Sequence, residues 1–141
     1  MGENIHFPDG FLWGAATSAH QVEGDNSNSD WWLWELETAQ RKAQAARAKQ
    51  WPDFIGSRYP SPFQEENYIS AKACDHYHLF EADFDLAKSL GQNAHRLSIE
   101  WARIEPEEGK FDEDEIEHYR SVIAALRQRG LEPFVTLWHF T

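Results

Sequence analysis

Cysteine is nearly missing from this sequence: Cys74 is the single one in 141 residues. No disulfide can form within the chain, and a reducing compartment is expected. The opening MGENIHFPDG has no basic region leading into an apolar run, so no signal peptide is expected and the cytoplasm is the expected location. No apolar run approaches the roughly 18 residues of a membrane span. Positive charge is scarce, with 13 Lys and Arg against 24 Asp and Glu and a formal net charge of −11. That balance weighs against nucleic acid and anionic membrane as partners and leaves neutral substrates open. No strand is followed by a glycine-rich phosphate loop of the GxGxxG or GxxxxGKS type.

What is present is a globular composition. Hydrophobic residues make up 41% and the chain carries 7 Trp. Aromatic rings fill cores, and they also stack on the apolar faces of pyranose sugars. Residues 11–17 read as a short buried strand, followed by the polar loop EGDNSNSD. WWLWELETAQRKAQAARAKQ is rich in helix formers, with Arg41, Lys42, Arg47 and Lys49 clustered as on a solvated surface helix. The next stretch, WPDFIGSRYPSPFQEENYIS, contains three prolines and reads as a long loop.

From there the pattern becomes regular. DHYHLFEADFDLAKSLG places Tyr77, Phe80, Phe84 and Ala87 at helical spacing, with Asp75 as expected N-cap and Gly91 as stop. NAHRLSIEW reads as a strand. DEDEIEHYRSVIAALRQRG reads as a second helix, capped by Asp112 and ended by Gly130, with Ile116, Tyr119, Ile123 and Leu126 as its inner face. EPFVTLWHF reads as a third strand. Strands alternating with helices of this length predict a parallel sheet with right-handed crossovers, the opening of either a doubly wound sheet or a (β/α)₈ barrel.

Alternation along the second strand puts Ala94, Arg96, Ser98 and Glu100 on one face and His95, Leu97, Ile99 and Trp101 on the other. The apolar face belongs against helices. Arg96 then points into the interior, where a guanidinium needs a carboxylate, with Glu100 a candidate. Spacing alone does not decide whether Arg96 is a structural ion-pair member or supports a catalytic carboxylate. The third strand places Val135, Leu137 and His139 on one face and Phe134, Thr136, Trp138 and Phe140 on the other. Barrel enzymes keep their sites at the C-terminal ends of strands. Gln21 and His139 occupy such ends, and both side chains can hydrogen-bond sugar hydroxyls.

FLWGAATSAHQVEG, NAHRLSIEWARIEPEEG and EPFVTLWHFT, in this order and spacing, resemble the N-terminal portion of glycoside hydrolase family 1, the retaining β-glucosidases, β-galactosidases and 6-phospho-β-glycosidases. The resemblance covers almost the whole chain, least between about 37 and 64. It implies a (β/α)₈ TIM barrel, with residues 1–141 as an incomplete N-terminal part of one barrel domain, about the first three β/α units. It implies that Gln21 and His139 bind the non-reducing sugar of a β-glycoside or oligosaccharide, and that Arg96 contacts the nucleophilic carboxylate. Asp25 and Phe140 depart from the usual family residues; at Phe140 an aromatic surface is kept while the indole donor of tryptophan is lost.

Retaining glycosidases need two carboxylates about 5 Å apart. The Asn-Glu-Pro and Glu-Asn-Gly motifs that supply them in this family are not in the chain, so no catalytic residue is expected here and the isolated chain is expected to be inactive. Glu23 and Glu100 resemble structural partners rather than such a pair. The resemblance implies no cofactor. In CDHYH, Cys74, Asp75, His76 and His78 invite comparison with a metal site, but i and i+2 diverge on a helix and no metal is expected. Two other readings stand beside the enzyme: a non-catalytic carbohydrate-binding module, and a fragment complemented by the C-terminal remainder of the barrel.

Overall fold

The computed structural model describes residues 6–58 and 62–140. Three strands, β1 (Gly14–Ala16), β2 (Ala94–Ser98) and β3 (Glu132–Thr136), form one parallel sheet in the order β1-β2-β3. Gly14 pairs with Ala94 on one side of β2, and Ala94 pairs with Glu132 on the other. Helices follow as α1 (Ala19–Val22), α2 (Asp30–Arg47), α3 (Asp53–Arg58), α4 (His76–Ser89), α5 (Trp101–Ile104) and α6 (Glu113–Gln128), with a 3-10 turn at Glu65–Tyr68.

The expected strand–helix alternation is present, with the crossovers supplied by α4 and α6. The predicted strands overran their ends: β1 starts at Gly14 rather than Phe11, β2 stops before the turn into α5, and β3 stops at Thr136. The stretch read as a long loop contains α3 and the 3-10 turn; its residues 59–61 lie outside those described, as do 1–5 and Thr141. The four-residue helices α1 and α5 gave no periodic signal because each is a single turn.

The helix termini separate two kinds of cap. Asp112 caps α6 as expected, accepting from the backbone N–H groups of Asp114 at 3.0 Å and Glu115 at 3.2 Å. Asp75 precedes α4 but does not cap it. It sits at φ +55°, and its carboxylate lies 2.6 Å from His78 Nδ1. The side chain is drawn to the nearer imidazole, and the left-handed backbone aims it away from the helix amides. Gly91 and Gly130, at φ +81° and +65°, end α4 and α6 as predicted.

The core lies between the sheet and helices α4 and α6. Phe84 and Ala87 from α4, Leu97 from β2, Val122, Ala125 and Leu126 from α6, and Leu131 form its buried cluster, flanked by Phe80 and Val135. Leu97 and Val135 thus face the helices as alternation required. On α6 the buried stripe is Tyr119, Val122, Ala125 and Leu126; Ile116 and Ile123 are only half-buried. The helix is rotated slightly from the expected orientation, because Tyr119 is anchored through its hydroxyl in a polar cluster described below. The sheet's other face is open: Gly14, Ala16 and Phe134 are exposed there. No helix among the described residues is long and apolar enough to cross a membrane.

Candidate functional site

Polar side chains gather at the C-terminal ends of all three strands. Past β1, the Ser18 hydroxyl donates to the Gln21 amide oxygen at 2.8 Å. This fixes the amide so that its NH₂ is the end turned to a ligand. The single turn α1 is tied to β2 by the Ala19 N–H, which donates to Ser98 Oγ at 2.8 Å. Past β3 the chain leaves the sheet at Thr136, so strand alternation no longer applies to His139. Alternation would have sent it to the helix side with Val135; instead it lines the same hollow as Gln21. Phe140, at φ +66°, packs edge-on against His139 with ring centroids 4.7 Å apart.

That hollow measures about 330 Å³. Ser18, His20 and Gln21 form one side, Trp31, Trp34 and Glu35 a second, and His139 and Phe140 a third. The two indoles meet edge to face with centroids 5.3 Å apart. Trp31 Nε1 donates to the Phe140 carbonyl at 2.8 Å, and Lys42 Nζ stands 3.7 Å over the Trp34 ring. A concave site with aromatic walls and a few polar groups suits a neutral, hydroxyl-rich ligand. Sequence reading missed the second wall. Trp31, Trp34 and Glu35 follow i, i+3, i+4 spacing and therefore share a face of α2, but the basic, alanine-rich remainder of that helix disguised it as purely solvated.

For Arg96, the Glu100 pairing that spacing offered is not what holds the side chain. Its Nε donates to Thr136 Oγ1 at 2.9 Å and its Nη1 to the Thr17 carbonyl at 3.0 Å, and among the described residues no carboxylate forms an ion pair with it. Glu100 is not its partner because β2 ends at Ser98. The chain then turns, and Glu100 is buried where Asn26 Nδ2 approaches its Oε2 at 3.4 Å. The guanidinium thus stands on the open face, held by neutral oxygens from β3 and from the residue just past β1.

Glu23 and Glu100 belong to a buried cluster behind the hollow. Tyr119 Oη lies 2.9 and 3.1 Å from the two Glu23 oxygens and accepts from the Glu100 N–H at 3.0 Å. Arg103 reaches Glu23 Oε2 at 3.3 Å, Asn26 Oδ1 at 2.7 Å and the Gly24 carbonyl at 2.6 Å. Its guanidinium also lies over the Tyr77 ring, 4.4 Å from the centroid. Burial pushes the Glu23 carboxyl up to about 7, against the pull of the Tyr119 hydroxyl and the Arg103 charge, and neighbouring Glu100 adds to the rise. The hydrogen bonds of Tyr119, Glu23 and Arg103 run to other protein groups, which makes the cluster a structural joint between the β1 end, α5 and α6. His76 and His78 point apart: His76 is buried against Asp83 at 2.6 Å, and His78 is exposed beside Asp75. Among the described residues no three His, Cys, Asp or Glu side chains are grouped to hold a metal ion.

The model of glycosyl hydrolase family 1 matches residues 3–141. β-Glucosidase A of Thermotoga maritima is 33% identical over 135 residues, covering 95% of this chain and 26% of the relative. Putative β-glucosidase 41 of Arabidopsis thaliana is 34% identical over 138 residues, covering 96% of this chain and 22% of the relative. Among solved structures, the β-glycosidase from Pyrococcus horikoshii superposes with a TM-score of 0.68 at 42% identity, covering 93% of this chain and 25% of that one. The chain spans about a quarter of the length of these relatives. The structural neighbours are β-glycosidases of the (β/α)₈-barrel fold, and the three parallel strands here are an unclosed arc of it.

Proposed function

Because this chain belongs to glycosyl hydrolase family 1, we propose that it is the N-terminal part of a retaining β-glycosidase that removes terminal β-linked sugars from β-glycosides. The observation that carries this reading is the convergence of Gln21 and His139, 118 positions apart in sequence (139 less 21), on one aromatic-walled hollow at the strand ends. In the proposed reaction one carboxylic acid protonates the glycosidic oxygen, a carboxylate forms a glycosyl-enzyme, and water releases the sugar. This segment contributes binding and orientation: the Gln21 NH₂ and the His139 ring hold sugar hydroxyls, and Trp31, Trp34 and Phe140 exclude water from the ring faces. Arg96, unpaired with any carboxylate among the described residues and fixed by Thr136 and Thr17, supplies positive charge for the nucleophile. Both reacting carboxylates come from the remainder of the barrel, which also covers the open face of the sheet, so residues 1–141 alone do no hydrolysis. The free, exposed Cys74 fits a reducing, cytoplasmic setting, and release of sugars from β-glycosides would give the protein its place in carbohydrate metabolism.

The test uses the complete gene product and an aryl β-glucoside. Saturable release of the aryl alcohol is expected, with Gln21→Ala and His139→Ala each lowering kcat/KM by roughly a hundredfold through lost hydrogen bonds in the transition state. The 141-residue chain should release none above background. Turnover by the short chain that survives repurification, or full activity of both variants, would sink the assignment.

A further inference from the structure

One wall of the hollow contains a carboxylate that binding by Gln21 and His139 does not require. Glu35 sits on α2 with its side chain 15% exposed. Its Oε2 accepts from the Ser70 N–H at 2.8 Å and the Ser70 hydroxyl at 2.9 Å, and its Oε1 lies 3.0 Å from His20 Nε2. Burial raises the carboxyl, but the Ser70 N–H, His20 and the Ser70 hydroxyl outweigh it and hold Glu35 below the usual range, so it is ionised at neutral pH. An ionised carboxylate only accepts, which makes His20 Nε2 the protonated nitrogen. Glu35 therefore joins three segments: α1, α2 and the loop at Ser70.

The placement of this joint matters more than its strength. His20 immediately precedes Gln21 on α1, a single turn that cannot hold its own shape. One turn earlier on the same face of α2, Trp31 bonds the Phe140 carbonyl beside His139. Helix α2 thus holds the residue next to each candidate sugar-binding side chain, by Glu35 through the His20 imidazole on one side and by Trp31 through the Phe140 carbonyl on the other. The Ser70 contact fastens α2's grip from behind.

We propose that Glu35 is a positioning residue. Through His20 and Ser70 it fixes the one-turn helix that carries Gln21, and so sets the affinity of the hollow for the terminal sugar. The kinetic consequence rests on the glycosidase reading above; the positional one rests on the geometry alone.

The experiment is Glu35→Gln in the complete gene product, which keeps the volume while removing the charge. Hydrogen–deuterium exchange at residues 19–22 and at Ser70 is expected to quicken roughly tenfold, with the melting transition still cooperative. KM for an aryl β-glucoside is expected to rise roughly tenfold while kcat changes about twofold or less. In a Gln21→Ala background the same substitution should raise KM no further, because the side chain it places is gone. A merely structural role would lower stability and leave KM unmoved. Unchanged exchange at 19–22, or KM factors that multiply in the double variant, would overturn the proposal. If Glu35→Gln does not fold, Ser70→Ala removes one contact, keeps the Ser70 N–H, and gives the same readouts in smaller measure. A complete protein with no turnover of any aryl β-glycoside would refute the glycosidase reading, while the exchange data would still decide whether Glu35 holds α1.

Discussion

Tyr119→Phe removes one oxygen atom and leaves the ring in place, yet that oxygen serves two buried partners. It donates to Glu23 and accepts from the Glu100 N–H. Without it the Glu100 N–H is left in a site closed to water, which costs about 1–3 kcal/mol at any pH. The loss at Glu23 depends on ionisation. The Glu23 pKa is raised in the fold from 4.5 to about 7, so between those values the unfolded chain ionises first and the folded chain holds more protons. Stability therefore falls as pH rises across that window, by about 3 kcal/mol once pH passes 7. The Tyr119 donation opposes this rise, so removing it moves the folded carboxyl still higher and extends the falling limb beyond pH 7. Below pH 4.5 the carboxyl is protonated in both states and its ionisation adds nothing to the cost of the substitution. At pH 8 the lost bond is one to a charged group, adding about 1.5–3 kcal/mol. Urea unfolding followed by tryptophan fluorescence at pH 5 and pH 8 reads both values by linear extrapolation. A cost of about 1–3 kcal/mol at pH 5 that grows to about 2.5–6 kcal/mol at pH 8 is expected. An equal cost at both pH values would refute the coupling, and a cost below about 0.5 kcal/mol at both would refute the burial argument as well.

Other perturbations probe the frame that carries the hollow. Gly24→Ala should prevent the β1 end from forming as seen, since Gly24 lies at φ +86° and a Cβ there collides with the Lys72 carbonyl; a variant with unchanged melting temperature would contradict this. Leu126→Ala, at a fully buried position between α4 and the sheet, should cost about 2–5 kcal/mol in urea unfolding; a cost under about 1 kcal/mol would mean the core is not closed there. Asp112→Ala should cost about 1 kcal/mol by loss of the α6 cap, whereas Asp75→Ala should cost α4 no cap, because Asp75 bonds His78 instead; equal losses from the two would overturn that distinction.

Local patterns carried far into this fold. Periodicity in α4 and α6 and the stop glycines needed only neighbouring residues, because helix caps and amphipathic faces are local physics. Gln21 and His139 could be singled out from their places at strand ends and from the family motifs around them. The faces of β2 near Leu97 and of β3 near Val135 followed from the two-residue period. The same rule lapses beyond Thr136 and Ser98, where the chain leaves the sheet; His139 therefore lines the hollow rather than following Val135 to the helix side, and Glu100, one candidate for Arg96, is buried beside Asn26 instead. Trp31, Trp34 and Glu35 carried a readable i, i+3, i+4 signal, but nothing local said that their face would meet α1 and the end of β3.

By itself, then, the sequence determined the alternation of strands and helices, the family, and two side chains of the candidate site. Tertiary structure alone decided which groups meet. Tyr119 reaches Glu23 across 96 positions and Trp31 reaches Phe140 across 109. Such contacts arise only when the sheet register and helix packing are set together, and no short window of sequence encodes them. The ionisation of Glu23 and the hold on Gln21 are properties of those meetings, so they appear only in the folded chain.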